Sequence, residues 1–257
     1  MSCILAAPRA AGEPSSGRLG GMAFAAAPQA VLAGDDAGVA DRLAAYEHDR
    51  ARTFVAAADR LSYVAAHVLV RQAAARAGEL AVDRLVLAQR CAHCGGPHGK
   101  PVFPGHPGLH VSFSHCRSAV AAVAGPSPNA IDVESWDGMA LDDSLVAGAF
   151  TAAEQQQLAL LDPRPDAIHH VSARQLGALR LWVRKECLVK LGRLSLDALA
   201  SVAVLPLAGD LLAVPPANTT SSRTIGALLV TDWIDVRTRT VGAVACEAAV
   251  DFRFGVP

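Results

Sequence analysis

Short apolar runs broken by Gly, Pro and Ser alternate with two long stretches of helical spacing, so the pattern predicts helices interleaved with small sheets. The apolar stretches 22–26 and 29–33 read as a first strand. Residues 35–60 are charged and helical in pattern, with Leu43, Tyr46 and Phe54 as core contacts. The segment 61–77 lacks Gly and Pro and carries Leu61, Val64, Ala65, Val68 and Leu69 at helical spacing. That predicts a buried amphipathic helix closed by Gly78. A short strand is expected at 84–88, then a loop crowded with Gly, Pro and His over 91–108. An alternating strand over 109–113 leads to Ser114 and His115.

The run 119–124, the turn Gly125-Pro126-Ser127-Pro128 and the stretch 130–134 read as strand, turn, strand. Residues two apart in a strand face the same way, so Asp132 and Glu134 present two carboxylates on one face and Ile131 and Val133 are buried on the other. Like charges this close repel unless a cation lies between them. A hard divalent ion such as Mg²⁺ takes oxygen ligands and leaves positions for phosphate and water. The plain alternative is a half-buried edge strand with a solvated acidic face. Further on, Thr151 and Glu154 fit a capping box, and Asp162-Pro163-Arg164-Pro165 ends that helix. The longest helix of the second half is expected over 172–191, and strands are expected at 201–205, 211–214, 225–230 and 241–245. Each half therefore has helices and a few antiparallel-looking strands, which predicts an α+β fold of two related subdomains. The expected division is an N-terminal α+β subdomain over 22–128 and a C-terminal one over 129–257. A disordered extension over 1–21 precedes them, rich in Gly, Ser, Pro and Ala.

Composition narrows the class. A chain of 257 residues holds one large domain or two small ones, and 52% hydrophobic content is ample for a core. Only 5% is aromatic, so Ala, Val and Leu must fill that core. A net charge of −1 argues against charge-driven binding of nucleic acid or membrane. No apolar run approaches the roughly 18 residues of a membrane helix, and no basic cluster followed by an apolar core marks a secretory signal. Six cysteines are too few for a disulfide scaffold at this length. The expectation is a reduced, cytoplasmic protein.

Several groupings could carry chemistry. Trp182, Glu186 and Lys190 fall at i, i+4 and i+8 and share one helical face. Gly99-Lys100-Pro101 is not a phosphate-cradling P-loop, because Cys94 stands where its first Gly would be and Pro101 replaces the Ser or Thr. It holds a lysine on a tight loop. Ser114 and His115 are adjacent on a strand and face opposite ways, which disfavours a direct nucleophile pair and favours a phosphate-binding His. Cys91 and Cys94, with His93 and His98, resemble half of a zinc site. A structural zinc takes four ligands, and no second C-x2-C exists, so the reading adopted is a loop that merely carries thiols.

Taken in order, four pieces form a set: Gly99-Lys100-Pro101, Val111-Ser112-Phe113-Ser114-His115, Ile131-Asp132-Val133-Glu134, and the segment from Trp182 through Lys185-Glu186 to Lys190. Together they resemble the signature of the Sfp-type 4′-phosphopantetheinyl transferases, which reads G-K-P, F-x-x-S-H-S, G-[IV]-D-[IV]-E and W-x-x-K-E-[AS]-x-x-K. The likeness spans about residues 50–199. Ala130 stands for the usual Gly, Cys116-Arg117 follows His115 where Ser-Gly or Gln-Gly is common, and Cys187 follows Glu186.

The resemblance implies a pseudo-two-fold pair of similar subdomains with the active site at their interface. It implies transfer of the phosphopantetheine arm of coenzyme A to a serine of an acyl or peptidyl carrier protein, with release of 3′,5′-ADP. The carriers would serve polyketide, fatty acid or nonribosomal peptide synthesis. By the same resemblance Asp132, Glu134 and Glu186 look like the Mg²⁺ shell. Glu186 looks like the base and Lys190 like the cation that steadies the phosphate. Arg50, Lys100, Ser114 and His115 look like coenzyme A contacts, and Trp182 like a packing residue. Such an enzyme would work as a monomer and needs no reactive thiol. Two other readings of the same residues are a Mg²⁺-dependent phosphohydrolase and a non-catalytic module stabilised by zinc on Cys91 and Cys94.

Overall fold

The structure, a computed structural model, describes residues 21–91, 94–137, 142–205 and 212–257. The expected extension over 1–21 lies outside the described residues except for Gly21, which opens the first strand. In chain order the first elements are β1 (Gly21–Ala26), α1 (Pro28–Ala33), α2 (Ala45–Arg52) and α3 (Ala57–Gly78). Then come β2 (Ala88–Gln89), β3 (Pro101–Val102), β4 (His110–His115), β5 (Val120–Gly125) and β6 (Asn129–Ser135). The rest are α4 (Asp143–Ala149), α5 (Ala152–Ala159), α6 (Ala173–Lys190), β7 (Thr219–Ile225), β8 (Leu228–Asp235), β9 (Thr240–Cys246) and β10 (Val250–Phe254). The fold is mixed α+β.

Two four-stranded sheets carry it, in the orders β10-β1-β5-β4 and β6-β9-β8-β7, with a two-stranded β2-β3 ladder beside them. All neighbours are antiparallel except β1 and β10, which run parallel with Gly21 opposite Val250. Strand alternation sorts the apolar residues into three layers of core. Phe24, Ala122, Ala124 and Val111 pack under α3 with Ala65, Val68, Leu69 and Ala73. The other face of the same strands, with Ala23, Ala25, Ala121 and Val123, meets Ile131, Val133, Val244 and Trp233 of the second sheet. The outer face of that sheet, with Ala130, Val241, Ala243 and Ala245, packs under α6 with Leu179, Val183 and Cys187. The order of layers is helix, sheet, sheet, helix. Gly242 leaves room for its cross-strand partner to lie flat between the sheets: a Cβ there would come 2.0 Å from Cζ2 of the buried Trp233.

Charged residues inside the helices fix where they dock. Glu47 of α2 accepts from Arg71 of α3 at 2.9 and 2.7 Å and from His67. These donors override burial and hold its carboxyl down near 2. Asp232 of β8 is fully buried between Arg180 and Arg184 of α6. Lys185 reaches Glu154 of α5 at 2.8 Å and the carbonyls of Leu199 and Val202. These three networks set the rotation of α3 and α6 about their axes.

Several expectations need correction. The stretch 29–33 is helix α1, because Pro28 begins it with its fixed φ and missing N–H. Residues 35–60 are not continuous helix: a 3₁₀ turn at Ala40–Arg42 and α2 are separate, and Thr53 ends α2. The helix α3 closes at Glu79, which takes the left-handed conformation (φ 50°), and not at Gly78. The strand expected at 84–88 is reduced to β2 at Ala88–Gln89. Residues 201–205 contain no strand and 212–214 none either, while Leu211 lies outside the described residues. The single strand expected at 225–230 is divided by a hairpin: Ile225 ends β7, Gly226 and Ala227 turn, and Leu228 opens β8. Finally, β10 lies in the half expected to form the C-terminal subdomain, yet it extends the N-terminal sheet.

Candidate active site

The acidic strand behaves as its alternation predicts. Ala130 faces α6, Ile131 and Val133 face the first sheet, and Asp132 and Glu134 therefore face α6. Ser172 caps the start of α6 by accepting from the Gln175 N–H at 3.0 Å. The buried Arg180, Arg184 and Lys185 then turn the Trp182, Glu186 and Lys190 face of the helix toward β6.

Lys190 is the hub. Its ammonium donates to Asp132 Oδ1 at 2.7 Å, to the Ile131 carbonyl at 2.9 Å and, at a longer 3.5 Å, to the Phe113 carbonyl. It thereby ties the edge strands β4 and β6 of the two sheets to the end of α6. Burial alone would lower its pKa, but the Asp132 carboxylate overrides that and holds the ammonium up. Ser114 Oγ donates to the same Oδ1 at 2.7 Å. The second oxygen, Asp132 Oδ2, is buried with no hydrogen-bond partner.

The other two acids feel that carboxylate. Burial and then the Asp132 charge push Glu134 up to about 7. The Trp182 indole N–H lies near enough to Glu134 to lower it slightly, but its geometry falls short of a hydrogen bond. Glu186 is also raised, first by burial and then by Asp132, with Lys190 opposing. Three carboxylates thus converge around one lysine and repel one another. Their oxygens do not yet lie mutually within 4.8 Å, a grouping that among the described residues only Cys91, Cys94 and His98 reach. An orphaned buried carboxylate oxygen beside two acids with raised pKa is an all-oxygen, under-neutralised donor set, and it fits a hard divalent cation.

The remaining predicted residues lie on either side of this centre. His115 ends β4 and packs edge-on against Phe54 and Tyr63, with its Nδ1 3.4 Å from Ser62 Oγ. Burial, with help from the positive charges of Lys190 and Arg50, depresses it to about 4. Arg50, near the end of α2, lies over the Phe54 ring at 5.2 Å and so reaches the same corner. Ser114 and His115 do point apart: Ser114 serves Asp132, and His115 faces α3. Lys100 sits on the opposite flank, where it lines a cavity of about 410 Å³ with Gln89, Pro101, Phe113, Asn129 and Lys190. The two thiols nearest the centre are inert. Cys187 is buried, donates to the Ala243 carbonyl at 3.3 Å and is raised well above its ordinary value by burial, and Cys116 is raised for the same reason.

Sequence reasoning missed the buried partnerships of Arg180, Lys185 and Glu154, which aim the Trp182, Glu186 and Lys190 face of α6. The signal was present: Arg180 and Lys185 lie three or four positions from Leu176, Leu181 and Leu188, which puts them on the buried face of the helix, where a charge needs a partner. It also missed Ile131 and Phe113 as carbonyl partners of Lys190, which no side-chain pattern encodes. Among the described residues no helix is long and apolar enough to cross a membrane. Compared with known proteins, the chain matches no protein-family model and no curated protein.

Proposed function

We propose that this chain is a 4′-phosphopantetheinyl transferase that uses coenzyme A and Mg²⁺ to modify a serine of an acyl or peptidyl carrier protein. The observation that carries the reading is the meeting of Asp132 and Glu134 on one strand with Glu186 and Lys190 on one helix face, residues far apart in sequence. The ordered G-K-P, S-H, D-x-E and W-x-x-K-E-x-x-x-K pieces supply the choice of reaction.

The pseudo-two-fold belongs to the same proposal. In the first half the opening strand β1 is flanked by the last strand β5 and then by β4, and α3 covers the sheet. In the second half β6 is flanked by β9, the last strand of its own sheet, and then by β8, and α6 covers it. A shared order of first, last and penultimate strand supports two copies of one unit, with the site where their edges β4 and β6 meet.

Asp132, Glu134 and Glu186 would hold the Mg²⁺, which when bound neutralises the diphosphate of coenzyme A. Glu186, with its raised pKa, takes the proton of the carrier serine. The serine oxygen then bonds to the phosphorus that bears the pantetheine arm, and the bond from that phosphorus to the bridging oxygen breaks. The electron pair leaves with 3′,5′-ADP. Lys190 keeps Asp132 in place and turns its loosest N–H, the one 3.5 Å from Phe113, toward the phosphate. Lys100, His115 and Arg50 line the path of the donor's other phosphates. No covalent enzyme intermediate is needed, in keeping with the buried, raised Cys187.

The test is the mass of a panel of apo carrier proteins after incubation with coenzyme A and Mg²⁺. The expected result is a gain of one phosphopantetheine on at least one carrier, abolished by Glu186→Gln with the circular dichroism spectrum unchanged. Phosphate released from simple esters with no carrier modified would replace this reading with a phosphohydrolase.

A further inference from the structure

The loop between β2 and β3 gathers Cys91, Cys94 and His98, with one ligand atom from each mutually within 4.8 Å. Cys94 Sγ and His98 Nε2 are 2.9 Å apart. The backbone folds around them as a compact knuckle. Gly95 N–H donates to the Cys91 carbonyl at 2.9 Å, Cys91 N–H to the Gly96 carbonyl at 3.0 Å, and His98 N–H to the same carbonyl at 2.9 Å. Gly96 N–H points at Cys94 Sγ at 3.4 Å, which ties the sulfur to the turn. Two sulfurs and an imidazole are a soft donor set, the opposite of the carboxylates at the active centre.

We propose that Cys91, Cys94 and His98 bind one Zn²⁺, with the fourth position filled from solvent, and that this ion holds the loop that presents Lys100. Zinc distances of about 2.3 Å to sulfur and about 2.0 Å to nitrogen put tetrahedral ligand atoms about 3.5–3.8 Å apart. The described cluster lies within that reach, and the Cys94–His98 contact has to open by less than 1 Å or so to admit the ion. Binding forms two Zn–S bonds and one Zn–N bond and releases the two thiol protons to solvent.

The link to Lys100 is geometric. Gly99 follows His98 directly and takes φ +116°, and a Cβ there would meet the Arg90 carbonyl oxygen at 2.9 Å. Its own carbonyl accepts from Gln89 Nε2 at 3.0 Å. At its base the loop is closed by the two pairs Ala88–Val102 and Gln89–Pro101. An ion at the tip would give this short ladder a second fastening, with Lys100 fixed between the two.

The metal site stands without the transferase reading, and only the role given to Lys100 rests on it. The full chain is stripped with a chelator under a phosphine reductant and titrated with Co²⁺, then with Zn²⁺. The expected result is one Co²⁺ per chain with a near-ultraviolet thiolate band, displaced by one Zn²⁺. Cys94→Ser and His98→Ala, both on an exposed loop, should keep the native circular dichroism and bind Zn²⁺ at least about tenfold more weakly. No thiolate band in the native chain, or full Zn²⁺ affinity in both variants, would overturn the site. Where a carrier is modified, removal of zinc should raise the KM for coenzyme A and leave kcat nearly unchanged, and Lys100→Ala should do the same. An unchanged KM would overturn the role of the loop and leave the active centre untouched.

Discussion

Asp132→Asn tests the hub directly. Asp132 is 4% exposed, and its Oδ1 holds both Lys190 and Ser114 at 2.7 Å. With an amide there, Lys190 keeps two backbone carbonyls and loses its counter-ion. Breaking a buried pair in this way costs about 3–5 kcal/mol. Two effects reduce that figure here. The Lys190 side chain is 28% exposed, so water recovers part of its solvation. The change also relieves the repulsion that raises Glu134 and Glu186, though Glu134, near 7, is already about half protonated at neutral pH. The expected loss is about 2 kcal/mol, or about 4–8 °C in Tm for a chain of this size. The assay is urea unfolding of the native chain, Asp132→Asn, Lys190→Met and the double variant. Because the double variant removes both charges, its loss should fall short of the sum of the singles by about 1–2 kcal/mol. Losses that add to within about 0.5 kcal/mol would refute the hub.

Two further outcomes concern His115 and Gly242. His115 has a folded pKa depressed to about 4, so below about 6.5 the unfolded chain takes up a proton that the folded chain refuses. Stability should therefore fall as pH drops from about 6.5 to 4, by up to about 3 kcal/mol, and His115→Gln should flatten that slope relative to the native chain in pH-dependent urea midpoints. Gly242→Ala drives a methyl into Trp233, which Phe252 backs at 4.6 Å, so it should cost at least about 2 kcal/mol in thermal unfolding and be rescued in part by Trp233→Phe.

Where the amino-acid pattern was a sound guide, local physics and tertiary context agreed. The alternation of Ile131, Asp132, Val133 and Glu134 matched a strand whose two faces meet different neighbours, and the Thr151–Glu154 capping box formed as read. The helix over 172–191 also matched, because its cap, its length and its apolar stripe all point one way. The misses have physical causes. Strand β7 is Thr-Thr-Ser-Ser-Arg-Thr-Ile, a polar edge whose side chains are exposed or half-buried, so hydrophobic periodicity does not mark it. Strand β10 escaped because its partner β1 lies at the other end of the chain. At the site, the shared face of Asp132 and Glu134 was legible, since residues two apart on a strand point the same way. The carbonyl partners of Lys190 were not, because every residue carries the same carbonyl and only the approach of β4 to β6 selects Phe113 and Ile131.

The parallel pairing of β10 with β1 has a consequence for how the chain is made. During synthesis the N-terminal sheet emerges with β1 as a bare margin, and its neighbour β10 is made only after the whole of the second sheet. Until then Phe252 is absent from Trp233, and both sheets lack part of their shared cover. The two halves thus cannot mature one after the other as separate beads. Strand β10 works like a clasp, and the seam between the sheets sets only once it has closed.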